Sequence, residues 1–203
     1  MVAMDAVDMG IAAPADRPPR RWIPWIFGAG VFVLALLVGV VLVADWAWRN
    51  AEMAALLDRV EESEAVMGEL QAAAEAAFEE HSAGGDGNKL DRELKQLAAV
   101  AEVDIAAAGL EVAALPIAVW HADIERARDA YLAHNQAWVE YMDRASTSSA
   151  EFIAPQPLVN ESFIGAAPFF LEAIPWPDGQ AFAVRIAEIF AIPDDMYADQ
   201  VSG

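Results

Sequence analysis

Between Ile23 and Ala44 the chain carries 22 consecutive residues without a charge. A helix rises about 1.5 Å per residue, so this run matches the roughly 30 Å hydrocarbon core of a bilayer. Tryptophans stand in pairs at its ends, Trp22 and Trp25 at one, Trp46 and Trp48 at the other. Indole rings gather at the depth where lipid headgroups begin. The reading is a transmembrane helix over 22–48, with these four tryptophans as its anchors in membrane lipid. Pro24 falls in the first turn, where its missing N–H costs nothing. Two other readings fit less well. A soluble core helix does not need so long a run. A cleaved signal peptide ending at Ala44 would place the large Leu42 where a small residue is wanted, after an apolar stretch that is too long. Ala35 and Gly39 form a small-xxx-small pair that would let two anchors approach closely.

Arg17, Arg20 and Arg21 precede the run, and Arg49 and Arg59 follow it. Positive residues favour the inner side, so the N-terminus is expected in the cytoplasm and residues 45–203 outside it. Ten arginines against two lysines, with abundant alanine, suggest a GC-rich genome and hence a bacterial cell membrane. Residues 1–21 show no periodicity and are expected to be a disordered cytoplasmic tail.

The charge is uneven. Residues 1–21 balance three Arg against three Asp, so the net −20 belongs wholly to residues 45–203, with nine basic and 29 acidic side chains. Such a surface repels polyanions, which excludes nucleic acid as a partner. There is no cysteine, hence no disulfide framework and no thiolate chemistry.

Beyond Trp48 the apolar positions step by three and four. Met53, Leu56, Val60, Ser63, Met67, Leu70, Ala74, Ala77 and His81 share one helix face. Glu52, Asp58, Glu61, Glu62, Glu69, Glu75, Glu79 and Glu80 fall off it and are expected in solvent. The stretch 82–88, SAGGDGN, reads as a turn. A second ladder runs Leu90, Leu94, Leu97, Ala101, Asp104 and Ala108, with Gly109 as a C-terminal cap. A third starts at Pro116 and runs Ile117, Trp120, Ile124, Ala127, Tyr131, His134, Trp138, Tyr141 and Ala145. These stripes must bury against one another, because helix propensity alone does not hold helices in water. The short turn favours antiparallel neighbours over an oligomeric coiled coil.

The predicted architecture is therefore all-α: an N-terminal transmembrane helix, then an antiparallel bundle of three to four helices over 49–145. A Pro-rich extended strap is expected over 146–177, because six of the eleven prolines fall between Pro155 and Pro193. Residues 178–203 are predicted as a short amphipathic helix, capped by Asp178 and turning Phe182, Ile186, Ile189 and Phe190 inward, followed by an acidic tail. Phe152, Phe163, Phe169, Phe170 and Trp176 of the strap either cover a groove of the bundle or form a partner surface.

Signals for chemistry are sparse. His121 and Glu125 stand four apart, with Asp123 between, so one helix face would offer an imidazole and carboxylates to a divalent metal. Charged helices produce that spacing by chance, and neither a metal nor another cofactor is expected. His81 reads as a helix C-cap, and His134 as a hydrogen-bonded seam residue. Glycines near Asp86 and Asn88 suggest a calcium loop, but Leu90 holds the fifth position and no Glu the twelfth. Catalytic motifs such as GxSxG, HExxH and Walker A are missing. The expected role is protein–protein interaction, with a partner or by self-association, as a scaffold or accessory subunit rather than as an enzyme. The alternative is a sensory or solute-binding domain walled by Trp120, Tyr131, Trp138 and Tyr141.

Overall fold

The computed structural model describes residues 23–82, 87–152, 154–177 and 179–192, and these are helical apart from short connections. The elements are α1 (Ile23–Ser82), α2 (Gly87–Ala113), α3 (Ala122–Thr147), a 3₁₀ turn at Ser149–Phe152, α4 (Pro157–Glu172) and α5 (Gly179–Ile189). The expected tail 1–21, the Trp22 anchor, turn residues 83–86, the Asp178 cap and the acidic tail 193–203 lie outside the described residues. So does the Trp25 side chain. The chain divides into two compact units, Met1–Val43 and Ala44–Gly203.

In the first unit α1 exposes its aliphatic side chains from Val31 to Val43. Among the described residues α1 is the one helix long and apolar enough to cross a membrane.

The second unit is an antiparallel bundle. Pairs between the helices set the directions. Glu52 near the start of the bundle part of α1 meets Ala118 beyond α2, while His81 at the end of α1 meets Glu93 near the start of α2. Ser149, past α3, bonds Asp91 of α2, and His134 of α3 meets Val159 of α4. All nine positions of the first ladder, from Met53 to His81, are buried as their spacing predicts. Met53, Leu56, Leu57 and Val60 pack with Val112, Ile124, Tyr131, Phe170, Ile186 and Phe190 in the main core. A second cluster joins Met67 and Leu70 to Ile105, Tyr141, Met142 and Val159.

Four local expectations are corrected. First, α2 buries Leu94, Ala98, Ala101, Ile105 and Val112, whereas Asp104 is exposed. The helix is apolar on two faces, so spacing alone did not select the buried one. Second, Gly109 does not end α2 but lies buried inside it. A Cβ there would stand 2.2 Å from Oδ1 of Asn135, so glycine is what lets α3 come this close. Third, α3 starts at Ala122 and not at Pro116, so Ile117 and Trp120 belong to a loop. A proline disfavours helical backbone at the residue before it, here Leu115. Fourth, the strap is not extended: sixteen of its residues form α4. Pro157 occupies the tolerated first turn, and Pro168 lies inside the helix. Both Pro168 and Ile164, whose carbonyl loses its N–H partner, face outward, where water can compensate.

Candidate functional site

At the Ala44 end of the bundle a buried polar cluster joins α1 to the loop before α3. His121 is 1% exposed and Glu52 is 7% exposed. The Glu52 carboxylate accepts from the backbone N–H of Ala118 at 2.8 Å, and its other oxygen lies 2.6 Å from Nδ1 of His121. The ring's Nε2 stands 3.3 Å from Oδ1 of Asp45, which also accepts from the Trp120 indole N–H at 2.9 Å. Asp45 and Glu52 are seven apart, two helical turns, so α1 presents them on one face and the imidazole fits between. Arg49, between them on α1, pairs with Asp123 and reaches the carbonyl of Ala173 at 3.4 Å.

His121, Asp123 and Glu125, the weak metal candidates of the sequence, point to separate partners. His121 occupies the N-cap position of α3 and turns to Glu52, Asp123 is taken by Arg49, and Glu125 lies exposed beside Arg128. Glu52, expected in solvent, is the residue that organises the cluster. Its signal in the sequence was only its seven-residue spacing from Asp45.

His134 is a hydrogen-bonded seam residue, as expected. Its Nε2 accepts from the Trp138 indole N–H at 3.1 Å, so the proton sits on Nδ1, facing the carbonyl of Val159 at 3.2 Å and the Ser162 hydroxyl at 3.1 Å. Beside it the Tyr131 hydroxyl donates to Glu64 at 2.8 Å. Burial, and then the Glu64 charge, push the Tyr131 phenol far above its ordinary range, so it stays neutral.

His81 closes α1 and meets Glu93 of α2 at 3.0 Å. With Glu80 these groups place three ligand atoms within 4.8 Å of one another, a spacing a divalent cation could bridge. Lys89 already occupies Glu80 at 3.1 Å. The Lys89–Glu80 ion pair and the His81–Glu93 hydrogen bond tie the end of α1 to the start of α2.

The strap's aromatics divide. Phe170 is fully buried, Phe163 packs against the main core, and Phe152 packs against the distal clusters. Phe152 and Phe163 are partly buried, whereas Phe169, 39% exposed, and Trp176 are exposed. Most of these rings therefore pack on the bundle, which is the groove-covering alternative of the two. Of the anchors with described side chains, Trp46 and Trp48 are both exposed, and Trp48 packs edge-on against Trp120 with centroids 5.3 Å apart. Of the aromatic stripe, Trp138 and Tyr141 line a groove of about 380 Å³ with Phe78 and Phe152, while Tyr131 is core and Trp120 lies at the opposite end.

One surface was missed. Val100, Val103 and Leu110 are exposed on α2, and with Ala107 they step by three, four and three. This is a heptad-like stripe on the face opposite the buried one. Searched against family models, curated proteins and solved structures, the chain matches none.

Proposed function

We propose that the chain is a single-pass membrane protein whose acidic helical domain works through protein–protein contact, as a scaffold or accessory subunit of a bacterial envelope complex. The observation that carries this reading is the outer stripe of α2. Three large aliphatic side chains at heptad-like spacing stay in water while the opposite face of the same helix fills the core. A helix that is apolar on both faces favours burial on both. Exposed Asp104 and Glu111 flank the stripe within a domain of net −20, so its complement is a helix with an apolar seam edged by Lys or Arg. The same charge disfavours a second copy.

The test is crosslinking in native membranes with the full chain, comparing the unaltered protein with Val103→Glu/Leu110→Glu. A specific partner band that the double variant loses, while its melting temperature is unchanged, is the expected result. Recovery of no partner by either protein would overturn the reading. The N-out or N-in question is separate, and cysteines introduced at residues 10 and 150 answer it by side-selective labelling.

A second reading, solute binding, rests on the aromatic-walled groove beside Trp138. Tryptophan fluorescence titrated with envelope metabolites, with Trp138→Phe as the reference, tests it. Flat titrations would remove it.

A further inference from the structure

The ends of the bundle differ in chemistry. At the Ala44 end two loops, 114–120 and 173–177, read ALPIAVW and AIPWP, without one charged residue in a domain of 38 charged side chains. They also carry its most exposed large apolar groups, Trp176 at 88% and Val119 at 84%, with Trp120 at 59%. At the opposite end, the close of α3 and the turn after it read STSSAE, residues that are small, polar or charged.

Specific contacts bring the two loops to one level of α1. Trp120 donates its indole N–H to Asp45 and packs edge-on against Trp48. Arg49 reaches the carbonyl of Ala173, the first residue of the other loop. Asp45 is the first charged residue after the apolar run, so residues 45–49 are where a membrane-spanning α1 would leave the hydrocarbon. Tryptophan is the side chain best suited to that depth, because its apolar body and its one N–H donor suit a half-wet layer. An acidic domain near anionic headgroups is repelled, and removing every charge from the nearest loops lowers that repulsion.

We propose that the 114–120 and 173–177 loops are a membrane footing, in which Val119, Trp120 and Trp176 enter the interfacial layer of the bilayer beside Trp46 and Trp48. The domain is then held against the lipid surface at several points rather than at one. The inference rests on α1 being a membrane anchor, and its test separates the two.

The chain has no cysteine, so single cysteines at Leu37, Val119, Thr147 and Trp176 can each carry a spin label on the full-length protein in phosphatidylcholine vesicles. Collision rates with oxygen, which concentrates in lipid, and with a water-soluble nickel chelate report depth. Leu37 is expected deep, Val119 and Trp176 shifted toward oxygen at headgroup depth, and Thr147 aqueous. Aqueous values at 119 and 176 with a deep Leu37 would overturn the footing and leave the anchor standing. An aqueous Leu37 would overturn both. Labels at 119 and 176 shielded from both reagents would mean that protein covers the loops, which also refutes the proposal.

Discussion

Gly109 shows how one missing methyl sets the distance between two helices. Its neighbour Asn135 is buried and donates its side-chain N–H to the carbonyl of Ile105 at 3.0 Å, so the amide cannot swing away without losing that bond. Gly109→Ala gains about 1 kcal/mol of helix propensity. It meets an overpacking cost of about 1–3 kcal/mol. The melting temperature is expected to fall, whereas in an Asn135→Ala background the same change is expected to raise it. Thermal denaturation of the four proteins reads the opposite signs. Glu52 poses the reverse case, a carboxylate whose loss strands its partners. Glu52→Ala takes from His121 Nδ1 and from the Ala118 N–H the carboxylate they share, and a cost of roughly 3–5 kcal/mol is expected. Urea denaturation checks it, and Glu52→Gln, which can still accept from Ala118, should recover part of the loss.

Single helices show what the sequence could and could not reveal. The first ladder was legible from Met53 to His81 because α1 beyond Trp48 is apolar on one face only. The α2 seam was displaced from Asp104 to Ile105 because two apolar faces compete there, and only the neighbouring helices decide between them. Start and stop signals misled at Pro116 and Gly109, since a proline also suits a loop and a glycine also suits a close crossing. His121 was singled out for the wrong partners: its spacing from Glu125 lies along the chain, whereas Glu52 and Asp45 reach it through tertiary packing. The same two faces make α2 a direct experiment. Ile105→Ala is expected to cost about 2–5 kcal/mol, and Val103→Glu less than about 0.5 kcal/mol, as read by chemical denaturation. Where α2 begins, the Ser149 hydroxyl bonds Asp91 and Lys95 pairs with it, and both hold its carboxyl below the usual carboxylate range. A depressed acid stabilises the fold above its unfolded pKa, and that contribution fades as pH falls through the folded value. Carboxyl NMR titration is expected to show Asp91 below the usual aspartate range, and Ser149→Ala to move it upward.

At the scale of the whole molecule, the 29 carboxylates and nine cations of residues 45–203 make self-repulsion a standing cost of compactness. At 0.1 M salt charges are screened beyond about 10 Å. Stability is therefore expected to rise from low ionic strength to 0.2 M sodium chloride, even though the pairs of Arg185 with Asp58 and Glu61 weaken. Melts followed by circular dichroism at several salt concentrations check this, and a falling midpoint would contradict it. The core itself imposes a schedule. Met53 and Leu56, early in the chain, share their cluster with Ile186 and Phe190 of α5. A ribosome adds about 5–20 residues per second, so the last neighbours of Met53 arrive on the order of ten seconds after it. Until then the newborn domain holds an open apolar seam, which closes only when α5 has been made.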